Sequence, residues 1–295
     1  MIPVVLGTTF IIYAMVFSMG DPTRGRCGQR PCPPAYIAKF KEEYNLDEPL
    51  IVQYLLYLGK LVRGDLGTNF FGNEVSAELL ARYPTTIKLA VIAILFELII
   101  GIIAGVLAGI RKNGFIDNLV LVSTLVVISI PVFVIGSLAQ LVFGVRLGLF
   151  PVTATQGTLP QLILPGLVLG TLSLAYVARL TRTNLVENLR TDYVRTARAK
   201  GMTEARTVGV HTLRNSLIPV ITYVGVDVGA LMGGAIVTER IFNVNGVGGF
   251  IFRSIYQRDG VSVVGAVTVL VLIFLLVNLL VDILYGVLDP RIAID

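Results

Sequence analysis

The sequence of 295 residues contains no tryptophan, one histidine and two cysteines. A single histidine, His211, excludes a metal centre built from several histidines, and no second cysteine pair accompanies the first to suggest a zinc site. Charged residues make up only 15% of the chain, against about 25% in an average soluble protein. No Gly-x4-Gly-Lys-Ser/Thr motif is present, so the chain does not bind ATP through a P-loop. We therefore expect that it binds neither a metal nor a cofactor of its own.

Hydrophobic residues, by contrast, make up 55% of the sequence, and the mean hydropathy is +0.80. They occur in long runs, and a helix needs roughly 20 such residues to cross the hydrocarbon core of a bilayer. A spanning segment must satisfy its own backbone hydrogen bonds, which favours helices. The sequence therefore predicts an all-α, polytopic membrane protein with six transmembrane helices. The predicted spans are 2–19, 89–110, 119–145, 162–178, 217–238 and 261–288.

The distribution of charge predicts the orientation of these spans. The net charge of +5 is carried mainly beside the hydrophobic runs, which is typical of cytoplasmic loops and does not indicate nucleic-acid binding. The loops after the second and fourth spans are basic, so we place them, and both termini, in the cytoplasm. We divide the chain into a first helix at 1–20, an external loop with short helices at 21–88, and a five-helix core at 89–295. The core contains a cytoplasmic loop at 183–215.

Two external segments carry structure of their own. In the first, a helical pattern follows Pro49, and 73–80 also reads as a short helix, so we expect a small helical cap on the outer ends of the spans. Cys27 and Cys32 lie in the same loop, where an oxidising exterior permits a disulfide; two free thiols are the alternative. The second segment, 239–260, reads as a flexible glycine-rich turn followed by a short helix near the mouth of a pore.

The most informative segment is the cytoplasmic stretch 192–215, which we call the basic hairpin. Asp192 is a candidate helix N-cap, Gly201 is suited to end that helix in the left-handed conformation, and Thr203 is a second cap for another short helix. Two short helices meeting at a glycine form a protrusion that another protein can grip. We expect Ala197 and Gly201 to permit close approach of that partner. The alternative is a basic loop that contacts only lipid headgroups.

Acidic groups inside the spans are the other functional candidates, because each costs several kcal/mol in the bilayer unless it faces a pathway or a partner. Asp227 and Glu97 are the best candidates for a substrate pathway, and Tyr176 and Gln140 are weaker ones. A structural hydrogen bond within the bundle is the alternative for each. Pro131, in the third span, predicts either a kink that helps a helix to move or a fixed bend. No paired catalytic residues are apparent, so we expect no enzyme activity in this chain.

The basic hairpin, read as DYVRTARAKG with LRNSLIP following, resembles the signature loop of binding-protein-dependent ABC importer permeases. Ala197 and Gly201 keep their places in that signature, whereas Arg195, Thr196 and His211 replace its usual residues in the form seen in the dipeptide/oligopeptide/nickel branch. Motifs typical of that branch also occur in order along nearly the whole chain, at 20–22 (GDP), 64–67 (GDLG), 130–131 (IP), 178–182 (ARLTR), 233–237 (GGAIV) and 288–291 (LDPR).

The resemblance implies the type I ABC importer architecture in the plasma membrane of a prokaryote. The implied partners are a homologous second permease, two ATP-binding cassette subunits that bind ATP and Mg, and an external substrate-binding protein. It implies peptides as substrates, with nickel or another small solute as the alternative, and the family's basic start leads us to expect residues upstream of Met1. Arg214 and Asn215 would tie the hairpin to the fifth span. The residues expected to couple to the ATPases are Tyr193, Arg195, Thr196, Ala197, Arg198, Lys200, Gly201, His211, Arg214 and Asn215.

Two other classes of protein remain as alternatives. An ion-coupled secondary transporter or channel would use the intramembrane acids to carry protons, but it predicts inverted repeats and broken helices that the sequence does not display, and it leaves the basic hairpin without a role. A membrane-embedded protease requires a catalytic pair at matched depth within the spans, and none is apparent.

Overall fold

The computed structural model describes residues 2–18, 32–232 and 235–288. Within these ranges the chain is helical, apart from turns and one isolated bridge between Thr68 and Glu74, which confirms the predicted all-α class. The helices are α1 Ile2–Ser18, α2 Pro34–Tyr44, α3 Leu50–Val62, α4 Val75–Ile110, α5 Phe115–Ser129, α6 Val132–Ala139, α7 Leu159–Asn188, α8 Asp192–Ala199, α9 Glu204–Arg206, α10 Leu213–Ser216, α11 Ile218–Met232, α12 Ile236–Ile241, α13 Val247–Tyr256 and α14 Gly260–Leu288.

Every predicted span corresponds to apolar helix, but the helices differ in length. Among the described residues, α4, α7 and α14 are each long and apolar enough to cross a membrane. The α5 helix and the segment Val132–Arg146 form a fourth span if they are counted together, and they are bent by 101° relative to each other. The helices α1 and α11 are shorter and apolar.

The bend in the third span occurs at Pro131, where the sequence predicted a kink. Ile130 is extended, with φ −98° and ψ 126°, as is typical of a residue that precedes proline. Proline also cannot donate the amide hydrogen bond that would continue α5. The predicted continuous span 119–145 is therefore two helices, and the second continues as a π-helical segment, Gln140–Arg146.

The second span begins earlier than its hydrophobicity indicated. Residues 73–80 do not form a separate short helix, because α4 runs without a break from Val75 to Ile110 and includes Pro84. Arg82 forms an ion pair with Glu78 one turn earlier, an i,i+4 arrangement that stabilises a helix. In the sequence, Glu78 and Arg82 lie before the apolar run, so the span was predicted to begin after them. In the structure, their ion pair stabilises the first turns of the same helix.

Glycines let α4 and α7 pack closely. Gly101, Gly105 and Gly109 repeat every four residues along one face of α4, and all three are buried. A methyl group at Gly105 would lie 2.5 Å from the carbonyl oxygen of Ala178 on α7, and one at Gly101 would lie 2.8 Å from Cγ1 of Val177. Small residues that allow backbones to approach are the usual basis of helix packing in membranes. This pair therefore forms the centre of the bundle.

The helices α2 and α3 pack against the spans, and α3 is the helix predicted after Pro49. Tyr54 on α3 and Thr9 in the middle of α1 have hydroxyl oxygens 2.7 Å apart, and the hydroxyl of Tyr57 donates to Thr268 on α14 at 2.8 Å. A hydrophobic cluster also joins α2 and the loop after α3 to α4, α13 and α14. The contacts of α3 are thus to the sides of α1 and α14, and its place on the outer ends of the spans stays a prediction.

Candidate coupling and translocation sites

The first helix of the basic hairpin ends at Gly201 as its sequence predicted. Gly201 has φ +76°, and its amide donates to the carbonyl of Arg198 at 2.9 Å, while the amide of Met202 donates to that of Ala197 at 3.2 Å. This pair of bonds is the Schellman motif, which closes a helix through a left-handed residue. A side chain at Gly201 would meet nothing within 4 Å, so the glycine is needed for its backbone conformation.

The start of that helix differs from the prediction. Thr191 occupies the N-cap position and Asp192 is the first helical residue, where its charge is favourable to the helix dipole. The Asp192 carboxylate accepts a hydrogen bond from Arg195 at 3.3 Å instead of capping backbone amides. The sequence could not distinguish the two, because Thr and Asp are both good caps and stand next to each other.

The second half of the hairpin is one continuous helical run. The Thr203 hydroxyl accepts a hydrogen bond from the amide of Arg206 at 3.4 Å, which confirms the predicted cap. The run begins as α9, continues as a π-helical segment, Thr207–Thr212, and ends as α10. The sequence did not indicate the π-helical turn.

The charged side chains of the hairpin point away from its core. Arg195, Arg198 and Lys200 are exposed, whereas Val194 and Ala197 are buried. Arg198 makes two hydrogen bonds to the carboxylate of Glu204, at 2.9 and 3.2 Å, and so joins the two halves. Ala197 thus packs inside the hairpin rather than on the surface offered to a partner. Of the other candidate residues, His211 is half-buried, and the exposed ones are Tyr193, Thr196, Gly201, Arg214 and Asn215.

Two polar side chains, one half-buried and one buried, connect the hairpin to α7. Asn188, the last residue of α7, donates to the hydroxyl of Ser216 at 3.1 Å, and that hydroxyl donates to the carbonyl of Thr212 at 2.8 Å. The predicted tie to the fifth span through Arg214 and Asn215 is not seen, since Arg214 is exposed and Asn215 donates to the carbonyl of His211 in its own helical run. The sequence signal for Asn188 and Ser216 is their polarity at positions next to apolar spans.

A second connection lies on the same side of the bundle. The guanidinium of Arg182 on α7 donates to both carboxylate oxygens of Asp117 on α5, at 2.9 and 2.7 Å. The same carboxylate accepts a hydrogen bond from the backbone amide of Asn113 at 2.8 Å. A two-bond arginine–carboxylate pair is geometrically specific, and this one fixes the loop between α4 and α5 against the end of α7 that leads into the hairpin.

Two carboxyl groups meet inside the spans. Glu97 on α4 is 0% exposed and faces Asp227 on α11 and Ser173 on α7. The Glu97 carboxyl group lies close enough to interact with Asp227 and with the Ser173 hydroxyl, but neither of its oxygens makes a hydrogen bond of full geometry among the described residues, and the same is true of the buried Oδ2 of Asp227. The structure thus brings the two best pathway candidates together.

Two tyrosines connect this carboxyl pair to the surface of the chain. Tyr223 lies one helical turn before Asp227 on α11 and packs against Tyr176 of α7, with ring centroids 5.9 Å apart. Tyr176 is 50% exposed, and Tyr223 and Asp227 are half-buried. The cluster of two tyrosines and two carboxyl groups is therefore exposed at the surface of the chain through Tyr176.

Comparison with known proteins identifies the family. The profile described as binding-protein-dependent transport system inner membrane component matches residues 101–294, and the profile of its N-terminal region matches residues 1–90. The chain belongs to this family. It is similar to a dipeptide transport system permease protein of Alkalihalophilus pseudofirmus (37% identical) and to a di/tripeptide one of Pseudomonas aeruginosa (38%). It is also 38% identical to an oligopeptide transport system permease protein of Bacillus subtilis. Each match covers 99% of this chain and 96% of the relative.

Gln140 does not join the carboxyl group of this permease. Its side-chain amide donates to the carbonyl of Val152 at 2.7 Å and to that of Ile241 at 3.3 Å. It therefore links the π-helical segment after α6 to α12 and to the loop before α7. These bonds satisfy the amide within the fold.

The permease also buries the carboxylate of Glu239, which the sequence analysis missed. Its oxygens accept hydrogen bonds from the Thr86 hydroxyl at 2.9 Å and from the Gly249 amide at 2.7 Å, at the N-terminus of α13. Thr86 in turn accepts from the amide of Val247 at 2.9 Å. Burial raises the pKa of Glu239, and the hydrogen bonds act in the opposite direction. Only a glycine fits at 246, where a methyl group would lie 2.5 Å from both carboxylate oxygens.

This arrangement corrects the expectation for the segment 239–260. The glycine-rich turn is largely buried and hydrogen-bonded to Glu239, rather than flexible, whereas the predicted short helix is present as α13. Asp259 has a similar role, since it accepts hydrogen bonds from Phe70 at 3.2 Å and from the hydroxyl of Ser262 at 2.7 Å. Cys27 lies outside the described residues, so the disulfide between Cys27 and Cys32 stays a prediction.

Proposed function

We propose that this chain is a permease subunit of an ATP-driven importer, in which it forms the translocation pathway for di- and oligopeptides together with a homologous second permease. The family and the names of three relatives, each matched over 99% of this chain, support this substrate class. An external binding protein delivers the peptide to the outer loops. ATP and Mg are bound and used by two ATPase subunits, and this chain has no catalytic role.

The observation that carries the proposal is the hydrogen-bonded connection of the basic hairpin to the span α7. Each ATPase subunit offers a groove to such a hairpin, and the exposed cations Arg195 and Lys200 meet its acidic residues. When the ATPases close on ATP, the hairpin moves with them. The bond between Asn188 and Ser216 passes this movement to α7, and the close packing of α7 on α4 passes it into the bundle. The cavity opens outward on ATP binding and returns inward after hydrolysis.

This function fixes the orientation of the chain in the plasma membrane. The hairpin and the loop between α4 and α5, which contains Arg111 and Lys112, lie in the cytoplasm, as the excess of basic residues favours. Both termini are cytoplasmic as well. The cap formed by α2 and α3, and the buried Glu239 site, then lie on the external side, where the binding protein docks.

Gly201→Val tests the coupling role. The left-handed backbone at Gly201 disfavours a β-branched side chain, so the substitution distorts the hairpin. We expect the wild-type chain, purified from its native membrane, to retain two ATPases and a second permease, and the variant to lose the ATPases alone. Gly148→Val is the matched control, because Gly148 also has a positive φ, +61°, and open space around it, but lies in the loop predicted to be external.

Two results would contradict the proposal. Purification of the wild-type chain alone, or only with copies of itself, would exclude an importer and favour the ion-coupled transporter. Loss of the ATPases in the Gly148→Val control as well would show that the effect is general misfolding. Uptake of a labelled dipeptide and of Ni2+ by cells with and without the importer then identifies the substrate class, and we expect only dipeptide uptake to depend on it.

A further inference from the structure

In the described part of the chain, no cationic side chain pairs with the carboxyl groups of Glu97 and Asp227. Three of their four oxygens are buried there without a hydrogen bond of full geometry, and the nearest groups to Glu97 are Asp227 and Ser173, neither of which is a cation. A buried carboxylate that is neither paired nor hydrogen-bonded is strongly unfavourable. Two of them together add repulsion between like charges. The site therefore suits a positively charged ligand.

The surroundings of the pair are those of a site for an ammonium group. The rings of Tyr176 and Tyr223 pack on each other close to the two carboxyl groups, and aromatic faces attract cations. Tyr176 is exposed, Tyr223 and Asp227 are half-buried, and Glu97 is completely buried. The tyrosines and Asp227 are therefore more accessible to a cation than Glu97 is, and Glu97 adds its charge from the buried part of the group.

The neighbours of Tyr176 support a pathway location. Tyr176 is 50% exposed in the single chain and packs on Tyr223, which lies close to both carboxyl groups. A half-exposed tyrosine next to two carboxyl groups fits a wall of the aqueous cavity between this chain and its partner permease.

We propose that Asp227, Glu97, Tyr176 and Tyr223 form a binding site for the α-ammonium group of the transported peptide. The inference rests on the proposed function, because it requires that the substrate carry a primary ammonium. It assigns Asp227 and the two tyrosines to direct contact with the substrate and Glu97 to electrostatic support. A proton shared by the two carboxyl groups, with no role in transport, is the competing explanation.

The test uses the complete importer, reconstituted in liposomes with its binding protein and a dipeptide that has a free amino terminus. Uptake and ATP hydrolysis are measured together, and their ratio gives the dipeptide transported per ATP. We expect Asp227→Asn and Glu97→Gln to lower this ratio about tenfold, the effect of losing roughly 1.4 kcal/mol of binding, while hydrolysis stimulated by the loaded binding protein is retained. Asp227→Glu, which keeps the charge, should stay within about threefold of wild type.

The exposed tyrosine provides a variant that does not disturb the buried core. Tyr176→Phe keeps the aromatic face and should transport nearly as wild type, whereas Tyr176→Leu should lower the ratio about fivefold. Unchanged ratios in Asp227→Asn and Glu97→Gln would overturn the inference and leave the pair as a structural element. Absence of dipeptide uptake by the wild-type importer would instead refute the proposed function, so the two failures are distinguishable.

Discussion

At the scale of single residues, Glu239 shows how this chain holds a buried charge without a salt bridge. The carboxylate is completely buried, and it is satisfied by a threonine hydroxyl and by the amides at the start of α13, where the helix dipole favours a negative charge. The Thr86 hydroxyl donates a hydrogen bond to the Glu239 carboxylate and accepts one from the Val247 amide. One hydroxyl therefore connects α4, α12 and α13.

Thr86→Val removes that hydroxyl while nearly preserving the shape of the side chain. It leaves a carboxylate oxygen and a backbone amide unsatisfied in a buried position, and we expect a loss of about 1–3 kcal/mol in the free energy of unfolding. The lowered stability should be visible as a lower melting temperature of the purified chain in detergent. The neighbouring Thr85→Val is the control, because no hydrogen bond of the Thr85 side chain is seen among the described residues. Equal melting temperatures for the two variants would contradict the assigned role.

At the scale of elements, the connection between the hairpin and α7 depends on Asn188 and not on the nearby Asn184. Asn188 donates to Ser216 across the joint, whereas Asn184 donates only to the carbonyl of Leu180 within its own helix. Asn188→Ala should therefore leave the ATPases bound to the hairpin but lower the dipeptide transported per ATP severalfold, because the movement is no longer passed on fully. Asn184→Ala should transport as wild type. If Asn188→Ala loses the ATPases altogether, its role is to hold the fold of the hairpin.

The contact between α4 and α7 permits a prediction on stability. Gly105→Ala adds a methyl group where the backbone of α7 lies 2.5 Å away, so the helices must separate, and overpacking of this kind costs about 1–3 kcal/mol. Gly59→Ala is the control, because α3 has open space at that position and alanine favours a helix more than glycine does. Thermal unfolding of both variants in detergent checks the difference. A Gly105→Ala chain as stable as wild type would show that the contact is able to relax.

At the scale of the whole molecule, hydrophobic periodicity and capping residues predicted the all-α class, the end of the first hairpin helix at Gly201 and the start of the second at Thr203. They did not predict where α4 begins, because Arg82 and Pro84 end an apolar run without ending a helix. Hydrogen bonds between distant residues, such as Asn188 with Ser216 or Thr86 with Glu239, leave no periodic signal in one sequence. The meeting of Glu97 with Asp227 was equally hidden, since each was identified only by its own depth in a span.

The final prediction concerns which side of the molecule faces water. Tyr176 on α7 and Leu125 on α5 are each 50% exposed in the single chain, but only Tyr176 lies beside the carboxyl pair. In the assembled importer, Tyr176→Cys should therefore react quickly with a hydrophilic thiol reagent, because it lines an aqueous cavity, whereas Leu125→Cys should react slowly in lipid. Trapping the ATPases with ATP and vanadate should change the rate at Tyr176→Cys alone, since alternating access moves the cavity from one side to the other. Equal, slow labelling of both positions would place Tyr176 against lipid and remove the pathway from this face of the bundle.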